Sequence, residues 1–218
     1  VPDERAEHEP VAQANWDDGQ LDRKLRPSPA ERGDFDPAIQ HRAFLRGEKM
    51  LKAAFVGFPV AGRTEMRRTR VNMDQLVAEV IAEMRGDTEG RPIEWKIQAL
   101  PEAEADRAML KLVWVNLISN AVKYTRRREP AVIEIRGRQS SPETLEYVVR
   151  DNGAGFDMEY VGKLFRVFER LHDAAEFEGA GIGLANVQRI VARHGGRVWA
   201  EGKVNEGATF HFTLPSTG

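Results

Sequence analysis

Apolar residues follow helical or strand periods along most of the chain, and each change of period marks an element. In NMDQLVAEVIAEM (72–84), Met73, Leu76, Val77, Val80, Ile81 and Met84 recur at helical spacing, with Asn72 or Asp74 available as the cap. A short strand is predicted just before it, at Thr69–Val71. IEWKI (93–97) alternates apolar and polar residues as a half-buried strand does. From Ala105 to Tyr124 a helix is predicted whose apolar positions cover most of its circumference, so one face must lie deep against a sheet. AVIEIR (131–136) and LEYVVR (145–150) predict paired strands joined through a Ser-Pro turn. Helical patterns follow at Met158–Leu171 and Gly183–His194. The chain then closes on a hairpin of VWA (198–200) and ATFHFTL (208–214), turning at Glu206-Gly207.

Residues 1–65 differ in kind. They are polar and punctuated by Pro2, Pro10, Gly19, Pro27, Pro29, Gly33 and Pro37. One helix is predicted there, over about Ala38–Phe58, ended by Pro59 and Gly62. The organisation expected is a mostly helical segment and linker at 1–65, then a domain at 66–218 that mixes strands and helices in two layers.

Composition narrows the partners. A net charge of −2 and a pI near 6.3 give no basic footprint for nucleic acid. Cysteine is absent, which removes disulfide and thiol chemistry and suits a cytoplasmic location. The most apolar window, MLKAAFVGFPVAG (50–62), is too short for a bilayer and contains Lys52 and Pro59, so no membrane contact is expected of this segment.

The long apolar helix carries Asn116 and Asn120 one turn apart, with Lys123 a further turn along the same stripe. Two readings stand side by side: core amides satisfied by neighbouring backbone, or an oxygen ligand for a hard cation such as Mg²⁺ beside a phosphate-seeking lysine. Downstream lie two glycine loops. DNGAGFD (151–157) follows a strand but precedes a helical pattern, so it is not a hairpin turn; its glycines let a ligand approach the backbone near Asp151. GAGIGL (179–184) opens a helix, where free N–H groups and the dipole favour phosphate. Its G-x-G-x-G spacing, with no strand before it, does not match a dinucleotide fingerprint.

The ordered set resembles a known family. NLISNAVKYT (116–125), DNGAGFD (151–157), LFRVFERL (164–171) and GAGIGL (179–184) resemble the N, G1, F and G2 boxes of sensor histidine kinases, and GATFHFTLP (207–215) is similar to their closing glycine motif. The wording of 168–187 most resembles kinases attached to bacterial phytochromes. The resemblance covers roughly 66–215. It implies the ATP-binding fold shared with DNA gyrase and the mismatch-repair ATPases: an α/β two-layer sandwich with a mixed sheet of about five strands, covered on one face by about three helices. It also implies roles. Asn120 would ligate Mg²⁺, with Asn116 nearby and Lys123 near phosphate. Asp151 would hold the adenine amine, helped by water and Thr209. Gly153, Gly155, Gly179, Gly181 and Gly183 would shape the pocket and phosphate lid, and Arg170 would reach the γ-phosphate of ATP.

Relatives that hydrolyse ATP place a glutamate one turn before the metal asparagine. Here that position is Asn116, and an amide has no useful basicity near pH 7. This disfavours a gyrase-like ATPase and favours transfer to a histidine, with relay to a response regulator receiver. The family's acceptor histidine is followed by an acid and, a turn later, by a proline on a dimerising hairpin. His8, in EHEP (7–10), has the acidic neighbour and room for a hairpin, but Pro10 comes early. It is the candidate acceptor, and 1–65 the candidate homodimer segment. His41, His172 and His211 fit less well, and His194 reads as a helix-end residue favoured by the dipole. The alternative is a degenerate nucleotide-binding module that regulates a partner by contact without phosphorylation.

Overall fold

A computed structural model of the chain describes residues 65–166 and 182–216. In order, the elements are β1 (Thr69–Val71), α1 (Met73–Glu83), α2 (Arg85–Thr88), β2 (Ile93–Ile97), β3 (Ala103–Ala105), α3 (Arg107–Tyr124), β4 (Ala131–Ser141), β5 (Thr144–Asp151), a 3-10 stretch (Met158–Lys163), α4 (Gly183–Arg193), β6 (Val198–Lys203) and β7 (Gly207–Pro215). Five strands form one sheet in the order β2-β4-β5-β7-β6, while β1 and β3 pair separately. Only β2–β4 is parallel; the other pairs of the sheet are antiparallel, which makes it mixed. A five-stranded mixed sheet layered with helices is the architecture the sequence motifs imply.

Strand alternation builds the interface between the layers. Ile133 and Ile135 on β4, Leu145, Tyr147 and Val149 on β5, and Phe210, Phe212 and Leu214 on β7 are all buried. Register aligns them in rows, such as Ile135 beside Val149 beside Phe210. Against these rows α3 packs Leu110, Val113, Trp114, Leu117, Ile118 and Ala121. Trp114 meets Phe212 edge-on at 5.2 Å and Tyr147 at 6.0 Å, while Tyr147 and Phe212 stack at 4.9 Å. Gly137 makes room for this group, since a Cβ there would stand 3.0 Å from the Tyr147 ring. Helices α1 and α4 flank α3.

Several boundaries differ from those expected, each for a local reason. Helix α3 starts at Arg107 because Asp106 caps it, accepting from the N–H groups of Ala108 and Met109 at 3.1 Å each. The residues before it form β3 against β1. Asn72 rather than Asp74 caps α1, accepting from Gln75 N–H at 2.9 Å; Asp74 accepts from Leu100 N–H at 3.0 Å. Strand β4 continues past Arg136 to Ser141 on polar residues. The helix expected at 158–171 is a 3-10 stretch over 158–163 with no buried residue. Residues 167–171 lie outside the described residues.

His194 stands at the end of α4, as expected, but it is held there as a core imidazole, 1% exposed, rather than by the helix dipole at the surface. Nδ1–H donates to Ile190 O at 2.8 Å and Nε2 accepts from Asp106 N–H at 3.1 Å, which fixes the tautomer. Burial holds its pKa below the usual histidine value. The ring thereby ties the end of α4 to the start of α3.

Candidate nucleotide site

Strand β5 ends on Asp151, which its alternation turns toward the helix layer and leaves 4% exposed. Its Oδ1 accepts from Gly153 N–H at 2.8 Å. Burial pushes the carboxyl up to about 6, and the backbone N–H groups of Gly153 and Ala208 restrain the rise. A desolvated carboxylate in this setting is a strong acceptor for an amine that can reach it.

The loop after β5 is held between two elements. Ala154 N–H donates to Tyr124 O at the end of α3 at 3.1 Å, and Asn205 N–H in the β6–β7 turn donates to Ala154 O at 2.6 Å. Close approach makes glycine necessary. A Cβ on Gly153 would stand 2.6 Å from Tyr124 O, and one on Gly155, whose φ is +62°, would stand 1.9 Å from Lys203 O. The loop therefore lies beside the end of α3 that carries Lys123.

On α3, Asn116 is buried and Asn120 and Lys123 are half-buried. Asn116 donates from Nδ2 to Leu112 O at 2.7 Å. Its Oδ1 faces the first residue of α4: a Cβ on Gly183 would lie 2.4 Å from that oxygen. The structure thus brings Asn116 and Gly183 together, and Asp151 and Gly153 together. Lys123 Nζ lies 4.3 Å from the Tyr124 ring centroid. Gly179, Gly181, Arg170 and His8 fall outside the described residues.

Thr209 is not the residue directly across from Asp151. Unbroken register pairs Asp151 with Ala208 and Arg150 with Thr209, so Thr209 points to the opposite face of the sheet. It lines a polar hollow at this end of the strands together with Arg150, Asp151, Glu201 and Ala208. The strand neighbour of the carboxylate is Ala208, one position earlier, and it offers only its backbone N–H. Two other residues of the site had no role legible in the sequence. Phe156 packs its ring over Gly202, where a Cβ would meet it at 2.6 Å. Arg128 donates to Gly153 O at 3.0 Å and to Asn205 O. It acts on main-chain carbonyls, which leave no side-chain pattern to find.

Comparison with known proteins decides the family. Residues 105–218 match the model described as histidine kinase-, DNA gyrase B-, and HSP90-like ATPase. The chain belongs to this ATPase family. Within it, the chain is 35% identical over 159 residues to cyanobacterial phytochrome B of Nostoc sp. (strain PCC 7120), covering 72% of this chain and 21% of that protein. Among solved structures, the catalytic domain of histidine kinase ThkA aligns with a TM-score of 0.59 at 27% identity, over 69% of this chain and 96% of that one. Full-length ShkA in complex with AMPPNP aligns with a TM-score of 0.60 at 28% identity, over 72% of this chain and 33% of that one. The chain spans about a fifth of the length of the phytochrome relatives it matches. It is a histidine kinase-type ATPase domain. No helix among the described residues is long and apolar enough to cross a membrane.

Proposed function

We propose that this chain is the catalytic, ATP- and Mg²⁺-binding part of a two-component sensor histidine kinase. It transfers the γ-phosphoryl group of ATP to a histidine nitrogen, for relay to the receiver domain of a response regulator. The P–O bond to the departing ADP breaks, a P–N bond forms, and the ring gives up its proton. In this reading residues 66–218 are the catalytic domain, and 1–65 carry dimerisation and the acceptor, His8. Asp151 accepts from the adenine amine, and Gly153 and Gly155 let the base approach. Gly179, Gly181 and Gly183 present N–H groups to the phosphates, Lys123 and Arg170 face their charge, and Asn120 supplies a metal oxygen.

The donor set suits magnesium. Among the described residues no group of three or more His, Cys, Asp or Glu stands together to hold a metal ion. A cation here would draw most of its ligands from nucleotide phosphates and water, as Mg²⁺ does, with a half-buried amide such as Asn120 completing the set. When bound, Mg²⁺ would neutralise charge that builds on the phosphates during transfer.

The observation that carries transfer over hydrolysis is the amide of Asn116. It is buried, its nitrogen is committed to Leu112 O, and it supplies no base to activate water. The test is incubation of the 218-residue chain with γ-labelled ATP. Acid-labile, base-stable label on the protein is expected. Steady release of free phosphate without protein label would refute transfer. Tight nucleotide binding with neither outcome would favour the contact-regulating module, the reading motivated by the early Pro10 beside His8.

A further inference from the structure

Arg128 lies in the turn that leaves α3, where its own N–H donates to Thr125 O at 2.9 Å. Its Nη2 carries two hydrogens and uses them on two carbonyls from different elements, Gly153 O in the loop after β5 and Asn205 O in the β6–β7 turn. These contacts close a ring. The peptide between Gly153 and Ala154 is held at its oxygen by Arg128 and at its N–H by Tyr124 O. The next peptide offers its oxygen to Asn205 N–H, and the Asn205 oxygen returns to Arg128. Among the described residues Asn205 is the non-glycine residue with positive φ, +63°, the conformation that aims both its N–H and its C=O at this ring. Upstream, Asn152 is fastened independently: its Oδ1 accepts from Val132 N–H at 2.9 Å and its Nδ2 donates to Pro130 O at 3.1 Å.

Gly153 is therefore fixed from both sides, by Asn152 before it and Arg128 after it. That matters because Gly153 N–H is the donor that orients the Asp151 carboxylate, at 2.8 Å. From this geometry we infer that Arg128 is a positioning residue for base recognition. It locks the glycine loop against the β6–β7 turn so that the Asp151 carboxylate, held by the Gly153 and Ala208 N–H groups, is aimed at an exocyclic amine. The inference rests on the adenine role of Asp151 given above and adds a residue that touches no nucleotide. Glycine-rich backbone left unclamped has many accessible conformations, so losing the guanidinium should blur the direction of the carboxylate rather than remove it.

The consequence is one of specificity. Adenine offers an amine where guanine offers a carbonyl, which an aligned carboxylate repels. Titrations of ATP and GTP against the wild-type chain, Arg128→Ala and Arg128→Lys test this, with thermal melts alongside. We expect Arg128→Ala to weaken ATP binding about tenfold and to narrow the ATP-to-GTP preference by a similar factor. Arg128→Lys, with one ammonium for two divergent carbonyls, should fall between it and wild type. Simple destabilisation lowers both affinities together and leaves their ratio unchanged; an unchanged ratio in Arg128→Ala overturns the inference. If that variant fails to fold, Arg128→Lys decides: a reduced ratio supports the positioning role, and a wild-type ratio overturns it. A wild-type chain that binds neither nucleotide, or both alike, instead overturns the adenine role of Asp151.

Discussion

Asp151 should oppose folding while serving binding, and replacing it by asparagine separates the two effects. Its carboxyl is raised from 3.8 to about 6, chiefly by burial. A shift of about two units is about 3 kcal/mol of preference for the protonated form in the native state. The native chain then holds the proton more tightly than the unfolded chain does. Between pH about 4 and about 6 it binds more protons, so stability falls as pH rises through that window. Above it the penalty is fully present; below it the penalty is gone. Asp151→Asn is neutral at all pH values, and its carbonyl oxygen can keep the Gly153 N–H. Without nucleotide at pH 7 the variant should gain about 1–3 kcal/mol, which for a domain of this size raises Tm by about 3–10 °C. By pH 4 the gain should vanish. Binding moves the opposite way: with oxygen on Gly153, the Nδ2 donor faces the amine of the base, and two donors repel. Thermal unfolding of both chains from pH 4 to 8, with and without ATP·Mg²⁺, measures each effect. An Asp151→Asn chain less stable than wild type at pH 7, or a Tm difference that does not change with pH, would refute the reasoning.

Other outcomes follow from the same geometry. Wild-type affinity for ATP should fall as pH drops through about 6, because a protonated Asp151 accepts the amine poorly, and should plateau above that; calorimetric titrations across pH check it. Asn120→Ala should remove most of the gain in ATP affinity that Mg²⁺ brings while leaving Mg²⁺-free nucleotide binding little changed, read from titrations with and without the cation. Gly207→Ala should lose at least about 2 kcal/mol in chemical denaturation, since φ is +104° there and the new Cβ would stand 1.9 Å from Asp151 O.

Legibility in the sequence followed the kind of force at work. Helix α3 was plain because burial imposes a side-chain period, and residues from Leu110 to Ala121 carry it. The position of Asp151 at a strand end was plain too, because a glycine loop follows a strand pattern. Strand β3 was not visible: AEA is too short to show alternation and exists because β1 pairs with it. The stretch from Met158 reads as helical by apolar spacing, yet Met158 and Tyr160 are 44% and 41% exposed and Val161, Leu164 and Phe165 are only partly buried, too little burial to drive a full helix. Thr209 illustrates a different limit. A motif gives the order of residues, whereas the face each one presents depends on register with the neighbouring strand. One position decides whether a side chain joins the carboxylate or turns away from it.

The two asparagines of α3 began as equivalent polar atoms in an apolar helix, and their surroundings now distinguish them. Asn116 is buried, 4% exposed. Its nitrogen returns to its own helix at Leu112, and its oxygen rests against Gly183, the first residue of α4. It therefore joins α3 to the start of α4, and a Cβ at 183 could fit only by displacing that oxygen. Asn120, half-buried one turn later, is the amide proposed above as the metal ligand. A longer carboxylate at 116 would need both a new place for α4 and a partner for a buried charge. The amide is thus required by packing as well as silent in chemistry. The amide that supplies no water-activating base, on the helix that carries Asn120 and Lys123, also lies against the first residue of α4.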